Sequence, residues 1–240
     1  NKNYLLIILN NIKLPLGKIK NWEIDMKKNY DIIAFDLDGT ITASDRGITN
    51  SMKTALRHFG IEKDAESLKR HIGPSLTETF REYVGDDEEQ IQLAIKKYRE
   101  YYVAGGMLEN EVYEGVEETL QEIRNRGKKI VLASSKPMVY CEQILKHYGL
   151  DKYFDFIGGS NLDETRCKKV EVISFSLENI GENPGANVLM VGDREYDILG
   201  AKQLEMDSVG VLFGYGNKDE LQEAGATYII DKMTDLLEIV

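Results

Sequence analysis

The stretch DIIAFDLDGT, residues 31–40, ends an apolar run in two carboxylates, Asp36 and Asp38, and then breaks at Gly39. If the chain stays extended through them, side chains two residues apart project to one side, about 7 Å apart along the chain, while Leu37 faces away. Two anions are then aimed at one place. At an effective dielectric near 20, like charges about 4 Å apart repel by about 4 kcal/mol, so their convergence calls for a cation or a proton between them. Taken alone, Asp-x-Asp-Gly also fits a plain turn capped by Asp38.

Three further groups repeat the pattern of polar side chains at the end of an apolar run. In VLMVGDREYDILGA, residues 188–201, Asp193 follows the run and Asp197 lies one helical turn on. Functional groups in open α/β sheets gather beyond the carboxyl ends of the strands, so Asp193 would share a crevice with Asp36 and Asp38. Three or four oxygen ligands with room for water suit Mg²⁺. A helix cap at Asp193 with a first-turn dipole residue at Asp197 is the local alternative. In IVLASSKP, residues 130–137, Ser134 and Ser135 end a run and Pro137 can open a helix. A hydroxyl and free N–H groups then face the crevice, where a phosphate would sit, though a Ser N-cap explains the pair equally well. Lys169, with Lys168 beside it, stands at a helix start, against the macrodipole, where an ammonium would neutralise both Asp36 and a phosphoryl oxygen. A surface lysine is the bland alternative.

The elements that must position these groups are legible as alternation. Apolar runs at 31–36, 128–134, 154–159, 187–193, 207–214 and 227–230 are separated, from residue 115 onward, by amphipathic helical patterns. Continuous rather than alternating apolar runs imply strands covered on both faces, and strand–helix alternation implies right-handed crossovers. The fold class is therefore α/β, a doubly wound, Rossmann-like parallel sheet. Residues 48–104 carry only helical stripes, such as Ile48, Met52, Ala55, Leu56 and Phe59, then Ile91, Ile95, Tyr98 and Tyr102. An all-helical domain over 45–111 is thus inserted into a core made of 26–44 and 112–240. GDDEE at 85–89 reads as a solvated helix start.

In this order, Asp-x-Asp, a strand-end Ser, a Lys and Gly-Asp-x-x-x-Asp resemble the haloacid dehalogenase superfamily of phosphatases and phosphotransferases. DLDGT looks like its first motif, Ser134 its second, Lys169 its third, with Lys168 in reserve, and GDREYD its fourth. The resemblance spans residues 26–240. The helical insertion, HIGPSLTETF at 71–80 and the run from 112 to 137 are similar to the phosphoglycolate phosphatase-like subgroup with a helical cap. Ser135 stands where many relatives have Asn, Glu114 where Pro is frequent and Glu164 where Gly is frequent.

The resemblance implies a Mg²⁺-dependent phosphatase acting on a small phosphorylated metabolite. Asp36 would be the nucleophile and Asp38 the acid and base. Asp36, the Asp38 carbonyl and Asp193 would hold Mg²⁺, and Asp197 would orient bound water. Ser134, Lys169 and N–H groups near Leu37 and Ser135 would bind the phosphoryl group. Gly73, Pro74 and Ser75 would form a specificity loop, and Arg46 would contact a substrate carboxylate or phosphate. Phosphoglycolate ranks first, with 5'-nucleotides close behind and pyrophosphate also open. A sugar-phosphate mutase, a phosphonate hydrolase using a cap lysine such as Lys53, and a non-catalytic binding protein are the rivals.

Composition narrows the partners. The chain has 240 residues, 42% of them apolar, and a formal charge of −11 without clustered Lys and Arg, which argues against nucleic acid. No run nears the roughly 20 apolar residues of a membrane span. Cys141 and Cys167 lack ligand spacing and read as reduced thiols of a cytoplasmic protein, monomeric or homodimeric. Residues 1–25, ahead of Met26, read as an upstream extension, a poor signal peptide, without chemistry.

Overall fold

A computed structural model describes residues 28–240; the extension over 1–25 lies outside the described residues. The strands are β1 (Ile32–Phe35), β2 (Thr42–Ala43), β3 (Glu111–Val112), β4 (Lys129–Pro137), β5 (Phe156–Ser160), β6 (Val188–Gly192), β7 (Asp207–Val211) and β8 (Tyr228–Ile230). Six of them form one sheet in the order β5-β4-β1-β6-β7-β8, with every pairing parallel. This is the doubly wound order, in which the direction of winding reverses between β1 and β6.

The unbroken apolar runs have a simple cause. In β1, Ile33 and Phe35 enter one core while Ile32 and Ala34 enter the other, on the opposite face of the sheet. In β6, Leu189 and Val191 face the first core and Val188 and Met190 the second. A strand covered on both faces has no position for a polar side chain until it ends.

Between β2 and β3 the chain forms α1 (Asp45–His58), α2 (Ala65–Leu68), α3 (Leu76–Val84) and α4 (Glu88–Ala104). Ile48, Met52, Ala55 and Leu56 of α1 are buried, as are Ile91, Ile95, Tyr98 and Tyr102 of α4. The side chain of Asp87 accepts hydrogen bonds from the N–H groups of Glu89 and Gln90, so the acidic run at 85–89 does start a helix. The insertion leaves and returns through a short antiparallel ribbon, Thr42 paired with Val112 and Ala43 with Glu111. Two-residue strands leave no periodic trace, and the ribbon was not expected from sequence. The remaining helices are α5 (Val116–Asn125), α6 (Met138–His147), α7 (Lys169–Glu178), α8 (Glu195–Gln203) and α9 (Lys218–Ala224).

Two strand ends differ from the sequence reading. β4 runs on to Pro137, with a register shift between Ser134 and Pro137 against β5. β7 stops at Val211, and the chain after it turns back toward Asp193. Both cysteines are free. Among the described residues no helix is long and apolar enough to cross a membrane.

Candidate active site

The site forms where β1 and β6 end side by side. Phe35 pairs with Val191, and the Asp36 N–H donates to the Val191 carbonyl at 2.9 Å, so Asp36 and Asp193 emerge together at the point where the winding reverses. Asp36, Asp193 and Asp197 are buried, and one carboxylate oxygen from each lies within 4.8 Å of the others. Asp193 accepts hydrogen bonds from the Tyr215 N–H at 2.8 Å and the Thr40 hydroxyl at 3.4 Å. Asp197, in the first turn of α8, accepts from the Arg194 N–H at 3.1 Å. Gly39 has φ of +86°, and a Cβ there would fall 2.2 Å from Asp193 Oδ2, so both the turn and the approach of the two strand ends require glycine.

Lys169 opens α7 and reaches into this cluster. Its Nζ lies 2.6 Å from Asp36, 2.7 Å from Asp197 and 3.1 Å from the Ala133 carbonyl. Lys168 is exposed at the rim, so the geometry selects Lys169. Burial works against the Lys169 ammonium, but the Asp197 and Asp36 carboxylates outweigh it and hold its pKa above the usual lysine range. Burial raises the Asp36 carboxyl to about 6 against the pull of Lys169, with Asp197 and Asp38 adding repulsion. Burial, with Asp197 and Asp36 nearby, also pushes Asp193 well above the usual carboxylate range. Three clustered acids with one ammonium among them leave an excess of negative charge. An all-oxygen donor set of this kind fits a hard divalent cation such as Mg²⁺.

Asp38 has a different partner. Its carboxylate meets Lys136 Nζ at 2.7 Å, with side-chain exposures of 14% and 6%, so this pair is largely out of water. Burial alone would lower the Lys136 pKa, but the Asp38 charge raises it well above the usual value. Sequence reasoning passed over Lys136. The available signal was its parity with Ser134, two residues earlier in an extended segment.

A cavity of about 470 Å³ opens beside these groups, between the sheet and the helical insertion. Asp36, Asp38, Ser134, Ser135, Lys136 and Lys169 line it from the sheet, and Gly73, Pro74 and Ser75 from the insertion. Ser134 is buried, its Oγ accepting from the Lys136 N–H at 3.3 Å. Tyr98 and Tyr102 of α4 also face the cavity, stacked with ring centroids 5.5 Å apart, and Tyr140 of α6 meets Tyr102 edge-on at 5.3 Å. Their helical spacing reads as core, which is correct for their burial and silent about the cavity.

Leu37 is expected to contribute N–H groups near it rather than its side chain, and one expected side-chain contributor, Arg46, is outside the cavity lining. Leu37 lies wholly in the core, and its carbonyl accepts turn bonds from Ile41 and Thr42, both at 2.9 Å. The Arg46 side chain is 77% exposed, 4.0 Å from Glu109 and outside the cavity lining. Lys53 is absent from the cavity lining as well.

The comparisons assign this arrangement to one family. The chain belongs to the haloacid dehalogenase-like hydrolase family, whose model matches residues 33–211. It is 37% identical to a 5'-nucleotidase of Pseudomonas aeruginosa over 90% of this chain and 98% of that one. It is 34% identical to the tyrosine-protein kinase PtkA of Mycobacterium tuberculosis over 87% of this chain and 72% of that one. A solved structure from Clostridium acetobutylicum, described as a predicted phosphatase, shares 43% identity and a TM-score of 0.83 over 88% of this chain and 97% of that one.

Proposed function

We propose that this haloacid dehalogenase-like phosphatase is Mg²⁺-dependent, forms a phosphoryl-Asp36 intermediate and acts on phosphomonoesters with a bulky leaving group, 5'-nucleotides first. The observation that carries the reading is the pair of adjacent acids, each with its own buried lysine, Asp36 with Lys169 and Asp38 with Lys136, on one cavity wall.

In this reading an Asp36 carboxylate oxygen attacks phosphorus, and the bond from phosphorus to the leaving oxygen breaks. Asp38 gives that oxygen its proton, then takes a proton from the water that attacks the phosphoryl-Asp36, which releases phosphate and restores Asp36. Asp36, the Asp38 carbonyl and Asp193 would hold Mg²⁺, which when bound supplies positive charge to the phosphoryl oxygens. Lys169 neutralises Asp36 as it approaches the anionic phosphoryl group, Ser134 donates its hydroxyl to a phosphoryl oxygen, and N–H groups beside Leu37 and Ser135 add further donors. Asp197 holds Lys169 in place and orients water. The helical insertion, residues 45–111, acts as the cap that excludes bulk water.

The cavity supports the larger substrate. Pockets of about 300–1,000 Å³ suit drug-sized ligands, and phosphoglycolate, ranked first by sequence resemblance, leaves most of 470 Å³ unfilled. Tyr140, half-buried in the cavity lining and edge-on to Tyr102, is an aromatic surface against which a planar base can pack. The 37% identity to a 5'-nucleotidase points the same way. The test is phosphate release from a panel of 5'-nucleotides, phosphoglycolate, pyrophosphate and sugar phosphates, with Mg²⁺ and with EDTA. The reading expects kcat/KM to be highest for a 5'-nucleotide and lost in EDTA. Phosphoglycolate as the best substrate would reverse the ranking. Consumption of substrate without matching free phosphate would mean that the phosphoryl group goes to an acceptor other than water.

A further inference from the structure

Glu164 has φ of +61°, in the left-handed region that disfavours a side chain. Its side chain leaves the loop after β5 and crosses to the helical insertion. One carboxylate oxygen accepts from the Leu76 N–H at 3.0 Å and the other from the Thr77 hydroxyl at 2.5 Å. Leu76 and Thr77 begin α3, so an anion from the sheet domain sits at the positive end of an insertion helix. The unfavourable backbone is tolerated where a bidentate contact offsets it.

A second side chain holds the other end of the same segment. Arg194, next to Asp193 and only 16% exposed, donates to the Ile72 carbonyl at 2.6 Å. Its Nε is fixed on Glu220 at 2.8 Å, and the same Glu220 oxygen accepts the Glu195 N–H at 2.9 Å, so the guanidinium is anchored before it reaches the insertion. Between Ile72 and Leu76 lie Gly73, Pro74 and Ser75, which line the cavity.

We infer that Glu164 and Arg194 are positioning residues: two arms of the sheet domain, one after β5 and one after β6, that hold segment 72–77 over the catalytic carboxylates and set how tightly the leaving group is enclosed. Both side chains also line the cavity, and neither is hydrogen-bonded to Asp36 or Asp38. Their action is on the roof of the cavity, so their loss weakens ground-state enclosure and raises KM more than it lowers kcat.

The test compares Glu164→Ala with Glu164→Gly. Alanine keeps the unfavourable φ and removes the contact; glycine removes both. Thermal unfolding therefore gives the glycine variant the higher Tm of the two. Kinetics with 5'-AMP and with p-nitrophenyl phosphate in Mg²⁺ are expected to show the same defect in both, a rise in KM of about tenfold, as for loss of a hydrogen bond to a charged group. Glu164→Gln, which retains an acceptor for the Leu76 N–H, restores part of the KM. Arg194→Lys raises KM as well, because one ammonium cannot serve Glu220 and the Ile72 carbonyl with the geometry of a fork. Amide exchange at Leu76, read without substrate, becomes about tenfold faster in Glu164→Gly, which separates failure of the clamp from failure of the substrate assignment. A Glu164→Gly variant with wild-type KM and wild-type Leu76 exchange would overturn the inference, since the side chain would then serve only the loop that carries it.

Discussion

The ammonium of Lys136 lies 2.7 Å from the carboxylate of Asp38, and no other lysine or arginine lies within ion-pair distance of Asp38 among the described residues. The nucleophile candidate and the acid–base candidate are thus neutralised by separate lysines that arrive from separate elements, α7 for Asp36 and the end of β4 for Asp38. The ring of Tyr102 lies beneath the Lys136 ammonium, 5.1 Å from Nζ to centroid, and completes its enclosure.

Lys136 is therefore expected to position the acid and base. In Lys136→Met, kcat falls by about tenfold to a hundredfold, a fraction of the roughly 10²–10⁴ that general acid–base catalysis supplies, while KM changes by less than about threefold. The double variant with Asp38→Asn loses less than the product of the two single losses, because the two residues act as a unit. Steady-state kinetics on the four proteins of the cycle measure this. Additive losses would separate Lys136 from Asp38.

The acid cluster predicts opposite effects of Asp193→Asn with and without metal. Asp193 is crowded by Asp197 and Asp36, so in EDTA the variant is more stable than the wild type, by about 1 kcal/mol, or about 2–4 °C in Tm. In Mg²⁺ at a hundred times its Kd the wild type gains about 2.7 kcal/mol of stability and the variant loses most of that gain. Thermal unfolding with a Mg²⁺ titration checks both signs.

Arg46 provides a control. Its side chain faces solvent, so Arg46→Ala leaves kcat and KM within about twofold of wild type on every good substrate, as for exposed substitutions generally. A selective rise in KM for one substrate would return Arg46 to the binding site through a movement of α1.

Legibility in the sequence depends on whether the chemistry is local or distant along the chain. β1 and β6 announce themselves because burial on both faces makes four or five successive residues apolar, and the acids that end them mark the carboxyl edge of the sheet. Doubly wound order then brings Asp36 and Asp193 together across 157 residues of chain, as the resemblance implied. Lys136 was passed over, because a lysine before a proline in SSKP also fits a surface position; β4 continues through it to Pro137 and its ammonium meets Asp38. The Glu164 and Arg194 contacts were not legible either, since each joins a side chain to a backbone group far away in sequence, at the start of α3 or just before it. The exposure of Arg46 was not legible, because nearness to the hinge in sequence says nothing about which face of α1 carries it.

The central claim is that Asp36 carries the phosphoryl group. The most direct measurement is acid quench of the wild-type enzyme during turnover of a 5'-nucleotide in Mg²⁺, followed by borohydride reduction, which converts a phosphorylated aspartate to homoserine, and peptide mass analysis of the segment around residue 36. The account predicts homoserine at position 36 in samples quenched during turnover, none in EDTA, and no phosphate release by Asp36→Asn. Sustained phosphate release by Asp36→Asn, or a phosphoryl group trapped on a different residue, would contradict it.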